Sequence, residues 1–326
     1  MKKLAIIGAG AWGSALAFVS LHTSLRSVIW SKNPAIVEEI NQSGTNTKYT
    51  GQTPLSGLRA TGEIQEALTD ADVIINALPA NAITEVFTSA KSFIKPGAII
   101  INASKGLEIQ THRFPFEIFH DIFAGDICYF TVSGPSFADG LLRGDPTMVS
   151  LAGKDLQIGD IVREMIREKK IYLTVSQDIP GVEWGGIYKN VIAIAAGLSV
   201  GLGYGENTSA LIFSAGIKEM LTAGVVMGAS AETFTQPSGV GDLMLSTTSL
   251  KSRNFSFGYH VAQEKDIEGI FTKLSGIAEG YYTLQSVSYL EQKYNLVMPL
   301  ATLLRRIIFH GMDAKSAFTN FLHDFY

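Results

Sequence analysis

Glycine-rich turns and two lysines carry most of the chemistry legible in this chain. Gly8-Ala9-Gly10-Ala11-Trp12-Gly13 follows the apolar run Leu4–Ile7 and opens a helix-like stretch of small residues. In a strand–turn–helix setting Gly8 permits the tight turn, Gly10 leaves room for a pyrophosphate, and Gly13 lets helix and strand pack closely. The N–H groups and dipole at the helix start then favour phosphate charge, which predicts a dinucleotide site. Lys189 stands in Gly185-Gly186-Ile187-Tyr188-Lys189-Asn190, whose glycines would let a ligand approach the helix. Lys105 follows Ile99-Ile100-Ile101-Asn102-Ala103-Ser104, at the carboxyl end of an expected parallel strand, where doubly wound sheets bind ligands. Hydride transfer to a ketone needs a proton donor and positive charge beside the developing alkoxide. A lysine serves both needs if desolvation or a like-charged neighbour lowers its pKa.

Two further stretches suit an anionic substrate. Gly239-Val240-Gly241-Asp242-Leu243 offers a carboxylate that could orient a hydroxyl or a lysine ammonium. Ser252-Arg253-Asn254 combines a forked cation with a hydroxyl and an amide, a good phosphate cradle. The second apolar run ends Val28-Ile29-Trp30-Ser31-Lys32, with no acid to hold a ribose 2′-hydroxyl. A lysine there attracts a 2′-phosphate, so NADP(H) is expected to be accepted alongside or instead of NAD(H).

The elements that must position these groups fall into two kinds. Up to Val175, unalternating apolar runs of four to six residues (Lys3–Ile7, Ser27–Trp30, Asp72–Ala77, Ala98–Ile101, Ile127–Val132, Thr147–Leu151, Ile171–Val175) are interspersed with helix-like segments. Such runs suit strands covered on both faces, and their alternation with helices predicts βαβ units in a mostly parallel, doubly wound sheet. Beyond Trp184 the patterning is helical, as in Ile187–Leu198, Asn207–Met227 and Tyr281–Tyr294, with Pro299 placed to start a late helix. The expected fold is α/β, a Rossmann-type domain over 1–185 followed by an all-helical domain over 186–326.

Bulk properties exclude several functions. At 326 residues the chain is long for one core. Lys+Arg 26 against Asp+Glu 30, with no basic tract, gives no footing for nucleic acid. The lone Cys128 permits no intrachain disulfide and no cysteine-rich zinc module, and is expected as a buried, inert thiol of a cytoplasmic protein. The six histidines lack ligand spacing, so no metal is expected and helical surfaces are their default location. Met1–Leu21 resembles a signal peptide, but its three glycines read better as strand, turn and helix. Val191–Gly205, uncharged yet short of about 20 residues, reads as a buried core helix; no membrane insertion is expected.

Taken together, GAGAWGSALA (8–17), SKGLE (104–108), SGPSFA (133–138), GVEWGGIYKNVIAIAAG (181–197), GVGDL (239–243), SRN (252–254), AEG (278–280) and MP (298–299) make the chain resemble the bacterial NAD(P)-dependent sn-glycerol-3-phosphate dehydrogenases. The resemblance runs over nearly the whole length, with motifs in the family's order. It implies reversible hydride transfer between sn-glycerol 3-phosphate and dihydroxyacetone phosphate, supplying a phospholipid precursor. Lys189 would then be the proton donor and acceptor at the C2 oxygen, with Lys105 touching substrate and cofactor and lowering its pKa. Gly134, Ser136, Asn190, Asp242, Ser252, Arg253 and Asn254 would line the substrate, Arg253 and Asn254 on its phosphate. Gly8, Gly10, Ala11, Trp12, Gly13, Lys32, Ala138, Ile277 and Glu279 would lie along the cofactor, with Lys105 and Arg253 contacting it too.

Ala11 departs from the family's usual serine, and Trp184 and Tyr188 are aromatics where smaller residues are usual, which predicts a reshaped pocket floor. The apolar helical half is compatible with a homodimer. A related 2-hydroxy-substrate dehydrogenase of the 6-phosphogluconate or 3-hydroxyisobutyrate type is the nearest alternative. A methyltransferase would want an acid at the end of the second strand and no all-helical half with a buried lysine, and a non-catalytic redox sensor would not need Lys105, Lys189 and Asp242 together.

Overall fold

A computed structural model of the chain describes residues 3–166, 171–264, 266–274 and 278–324. The chain divides into two compact units, Met1–Ser104 with Phe114–Ile179, and Lys105–Arg113 with Pro180–Tyr326.

The first unit is built on eight strands: β1 Lys3–Ile7, β2 Arg26–Trp30, β3 Arg59–Thr61, β4 Val73–Asn76, β5 Ile99–Asn102, β6 Cys128–Ser133, β7 Thr147–Gly153 and β8 Ile171–Ser176. They form one sheet in the order β3-β2-β1-β4-β5-β6-β7-β8. β1 to β6 are parallel; β7 runs antiparallel to β6 and β8 parallel to β7. The helices of this unit are α1 Ala11–Ser20, α2 Pro34–Ser43, α3 Thr47–Thr50, α4 Ile64–Leu68, α5 Ile83–Ala90, α6 Pro115–Phe123, α7 Ala138–Arg143 and α8 Leu156–Ile166. The unalternating apolar strands have the expected cause: both faces are covered. Leu4, Ile6, Ile29 and Val73 belong to one buried cluster, while Ala5, Ile7, Val28 and Ile74 belong to the other.

Strand order reverses at β1, between β2 and β4, which is the topological switch point where such sheets bind ligands. The apolar pattern offers no strand at Arg59–Thr61. The structure has one at the sheet edge, three residues long and paired only with β2, too short to leave a periodicity. Cys128 is half-buried, and burial pushes its thiol up.

The second unit is helical among the described residues. It comprises α9 Ile179–Gly201, which starts at the unit boundary, then α10 Glu206–Val226, α11 Asp242–Thr247, α12 Arg253–Val261, α13 Ile267–Lys273, α14 Glu279–Tyr294, α15 Pro299–Ile308 and α16 Ala314–Asp324. Pro299 takes the first turn of α15, as expected. α9 lacks an amphipathic pattern because it is enclosed: Val191 to Leu198 are all buried. Glycines permit the enclosure. A Cβ on Gly197 would lie 1.9 Å from the Phe255 carbonyl oxygen, and one on Gly258 would lie 1.9 Å from that of Ile194. The backbones of α9 and α12 therefore touch. Gly280 lets α14 approach α9 as well, its Cβ position 2.7 Å from the Asn190 carbonyl oxygen.

Candidate active site

The residues expected to hold a dinucleotide in the first unit sit at the carboxyl-end edge of the parallel strands. Gly8, directly after β1, has φ +116°, and a Cβ there would lie 2.8 Å from the Ala77 carbonyl oxygen. A Cβ on Gly13 would lie 1.9 Å from the Gly8 carbonyl oxygen, so only glycine lets α1 fold back onto the turn. Gly10 differs: nothing lies within 4 Å of its Cβ position. It is the N-cap of α1, and no side chain caps that helix. Open space beside uncapped first-turn N–H groups suits an approaching pyrophosphate, and the residues present fit a dinucleotide. Ala11 and Trp12 open α1. Lys32 is exposed two residues past β2, and Ser31 turns its hydroxyl inward to accept from the Asn33 N–H at 3.2 Å.

Asn46 supports this turn and is absent from the sequence-based set. Fully buried, it donates from Nδ2 to the Ala9 carbonyl oxygen at 3.0 Å and to Ser14 Oγ at 2.9 Å. An isolated asparagine in a polar loop carries no signal that separates it from a turn residue. Asn76 and Asn102 shape the same edge at the ends of β4 and β5. Asn76 Nδ2 donates to Asn102 Oδ1 at 2.8 Å, and Asn102 Oδ1 accepts from the Ser104 N–H at 3.2 Å, just ahead of Lys105. Gly134 and Ser136 follow β6, with Ser136 Oγ donating to the Gly134 carbonyl oxygen at 2.8 Å, and Ala138 opens α7.

The second unit brings both candidate lysines onto one carboxylate. Lys189 on α9, 8% exposed, donates to Asp242 Oδ1 at 2.5 Å and to Ser246 Oγ at 2.8 Å. Lys105 donates to the other carboxylate oxygen of Asp242 at 2.6 Å. Asp242, 1% exposed, thus bridges two ammonium groups. Burial brings Lys189 down from the ordinary lysine value of 10.5 to about 8; Asp242 opposes that shift and the Lys105 charge assists it. Burial alone would raise the Asp242 carboxyl, but the Lys105 and Lys189 ammonium groups hold it below the usual carboxylate range. Ser246 was not among the expected residues. Its place one helical turn beyond Asp242 on α11 is the pattern that could have found it.

The neighbouring amides are ordered by each other. Asn254 Nδ2 donates to Asn190 Oδ1 at 2.9 Å, while Asn254 Oδ1 accepts from the Gly280 N–H at 2.8 Å. Ser252 caps α12 by accepting from the Phe255 N–H at 3.3 Å. Arg253 opens that helix with an exposed side chain and makes none of the ion pairs found among the described residues. Glu279, the first residue of α14, is partly buried; burial raises its carboxyl against the pull of Arg253. Ile277 lies outside the described residues.

Two expectations about the Gly-Gly-x-x-Lys-Asn stretch are corrected. The Cβ position of Gly185 is 2.6 Å from the Ser238 carbonyl oxygen, so this glycine admits the π-helical turn Pro237–Gly241 rather than a ligand. Trp184 and Tyr188 do not reshape a pocket floor beside the Lys189 ammonium. Their rings stack at 4.7 Å, one helical turn apart on another side of α9, and both are fully buried. Trp184 Nε1 donates to the Met220 carbonyl oxygen at 2.9 Å, and the Tyr188 hydroxyl donates to Glu219. Glu219 in turn accepts from the Leu300 and Ala301 N–H groups at 2.9 and 3.2 Å, so the two aromatics seal a seam among α9, α10 and α15.

Comparison with known proteins covers both units. The family model for the NAD-dependent glycerol-3-phosphate dehydrogenase N-terminus matches residues 3–159, and that for the C-terminus matches 178–319. A Nitratidesulfovibrio vulgaris protein named glycerol-3-phosphate dehydrogenase (NAD(P)+) is 36% identical, over 96% of this chain and 96% of its own length. A Bacillus subtilis protein of the same name is 33% identical, over 97% and 93%. The crystal structure of glycerol-3-phosphate dehydrogenase from Coxiella burnetii superposes with a TM-score of 0.91 at 31% identity, covering 98% of each chain.

Proposed function

The chain belongs to the NAD-dependent glycerol-3-phosphate dehydrogenase family, and from that premise we propose that it reversibly transfers a hydride between NAD(P)H and dihydroxyacetone phosphate, giving sn-glycerol 3-phosphate, a phospholipid precursor. The observation that carries this reading is the Asp242 carboxylate held between the ammonium groups of Lys105 and Lys189.

A dinucleotide held at the turn of Gly8, Gly10 and Gly13 would supply the hydride chemistry at the substrate's C2 in either direction. Lys189 gives a proton to the C2 oxygen as it gains charge, and its lowered pKa makes that proton easy to release near neutrality. Its amine form accepts the proton when the alcohol is oxidised. Lys105 adds a second positive charge for the developing alkoxide. Asp242 holds both ammonium groups in place, and Ser246 fixes the remaining side of Lys189. Asn190, Ser252, Arg253 and Asn254 take the substrate, with the Arg253 guanidinium and the Asn254 amide on its phosphate. Gly134 and Ser136, on the loop after β6, are substrate residues by the family resemblance alone. The turn at Gly8, Gly10 and Gly13 with Ala11 and Trp12 receives the pyrophosphate, Lys32 the 2′-phosphate of NADP(H), and Ala138, Ile277 and Glu279 the rest of the cofactor.

One assay tests the whole reading: absorbance of NADH or NADPH on adding dihydroxyacetone phosphate. Nucleotide binding without consumption would favour a sensor, and oxidation of 6-phosphogluconate but not glycerol 3-phosphate would move the chain to the alternative class.

Two substitutions probe the substrate and cofactor ends. Arg253→Ala is expected to raise the substrate KM about tenfold with little change in kcat, because it removes a phosphate contact present in ground and transition state alike. Steady-state kinetics in dihydroxyacetone phosphate separate the two constants, and a fall in kcat at unchanged KM contradicts the assignment. Lys32→Asp is expected to weaken NADPH about tenfold relative to NADH, since a carboxylate repels the 2′-phosphate and accepts from a 2′-hydroxyl. An unchanged NADPH/NADH ratio of kcat/KM removes Lys32 from the cofactor site.

We place the protein in the cytoplasm. Among the described residues α10 is the one helix long and apolar enough to cross a bilayer. One face of it packs inside the unit, with the Cβ position of Gly216 2.4 Å from Ile192 and Glu219 binding the start of α15, while Val225 and Val226 near its end are exposed.

A further inference from the structure

The chain leaves the first unit at Ser104, contributes nine residues to the second unit, and returns at Phe114. Lys105, the first of those nine, holds its ammonium on Asp242. The far end of the segment is held by His112. Its ring stacks on Tyr289 with centroids 4.6 Å apart and planes 27° from parallel, and its Nδ1 lies 3.0 Å from Ser286 Oγ. Ser286 is fully buried on α14. His112 therefore does not lie on a helical surface, the default for this chain's histidines. It has φ +58°, a left-handed backbone that few residues other than glycine adopt but that histidine tolerates better than most, at the point where the segment turns back.

The interior of the segment is rigid by its own bonds. The Glu108 N–H donates to the Arg113 carbonyl oxygen at 3.0 Å, and the His112 N–H donates to the Glu108 carbonyl oxygen at 2.7 Å. The Glu108 carboxylate, in a buried residue, accepts from Arg113 Nε at 3.2 Å and Nη2 at 2.8 Å, and from the Thr111 hydroxyl. These bonds run from Glu108 to Arg113, so the stretch leading back to Lys105 starts from a point fixed against α14 through His112.

We propose that His112 is a positioning residue for Lys105: by clasping Ser286 and Tyr289 on α14 it sets the place of the Lys105 ammonium against Asp242 and Lys189. The inference rests on the acid–base roles proposed above for the two lysines, but adds a residue outside them. Lys105 lowers the pKa of Lys189 by charge, so a displaced Lys105 leaves Lys189 with a higher one. A loosened segment of purely structural importance would not move that value.

The test uses the full chain with His112→Gly, which keeps the left-handed backbone at no steric cost and removes the ring. Dihydroxyacetone phosphate reduction is followed against pH, and hydrogen exchange of residues 105–113 is measured alongside. The expected result is a kcat lower by about ten- to a hundredfold. The pH at which kcat is half-maximal moves up from about 8 toward the ordinary lysine value. His112→Asn, which tolerates the left-handed backbone and keeps a polar group for Ser286, restores part of the rate, and Ser286→Ala reproduces part of the loss. Faster exchange confined to 105–113 is expected in His112→Gly. A wild-type pH profile in that variant overturns the proposal even if the protein is less stable, and so does unchanged exchange of the segment. If the wild-type chain fails to turn over the substrate, the functional reading falls, and the exchange result alone decides whether His112 holds the segment.

Discussion

Lys189→Ala is expected to reduce kcat by about 10²–10⁴-fold in both directions while the affinity for NADPH stays close to that of the unmodified chain. The separation follows from the fold. The dinucleotide turn belongs to the first unit, and Lys189 to α9 in the second. The variant is expected to fold, because Asp242 keeps the Lys105 ammonium at 2.6 Å and is not left as an unpaired buried charge. The truncation leaves a small cavity beside Ser246, whose hydroxyl loses a donor. Single-turnover rates and an equilibrium titration of NADPH fluorescence measure the two quantities separately. Turnover within a fewfold of wild type assigns the proton transfer to another group. Weakened NADPH binding at unchanged turnover assigns Lys189 to the cofactor instead.

The pH dependence of the unmodified chain gives the same assignment a second handle. With Lys189 as the proposed proton donor, reduction is expected to be fastest well below pH 8 and to fall as pH rises through about that value. Oxidation needs the free amine and rises over the same range. The two limbs cross because one group works in both directions.

The parallel sheet and its dinucleotide turn were readable because their causes are local. Unalternating Ile and Val runs reflect strands buried on both faces, and the glycines at 8 and 13 are demanded by atoms a few residues away in sequence or on the adjacent strand. The helical half was readable as helix, but not its packing. Gly185 looked like a gap for a ligand because nothing near it in sequence points to Ser238, more than fifty positions on. Trp184 and Tyr188 looked like pocket residues because they sit inside the motif. A helix turns about 100° per residue, so a neighbour in sequence faces elsewhere.

Asn46 and His112 show a different limit. Each supports a functional group from 30 residues or more away in sequence, or from an element that packs only in the folded chain. Their residue types are ordinary for loops, and periodicity says nothing about them. Ser246 lies between these cases. It is one helical turn from a recognised aspartate, and the spacing was visible once α11 was known to begin at Asp242.

Asp242→Asn is expected to shift the same pH profile in the direction opposite to loss of Lys105. Asp242 raises the pKa of Lys189 and Lys105 lowers it. The neutral amide removes the raising influence and leaves two like charges facing each other, so the half-maximal pH for reduction drops by about 1–3 units. At neutral pH most of the Lys189 amine is then unprotonated, reduction slows, and the oxidation limb extends to lower pH. Lys105→Met does the reverse: the positive neighbour is gone, Asp242 pairs with Lys189 alone, and the half-maximal pH rises. Asp242 is almost wholly buried, so breaking its pairs also costs about 3–5 kcal/mol of stability. Thermal unfolding measures that cost independently of the kinetics. Opposite displacements of the two profiles would establish that the lysines are coupled through one carboxylate. Displacements of the same sign would mean that the two neighbouring charges do not act on Lys189 in opposite directions, and that the Asp242 bridge serves only to hold the two lysines in place.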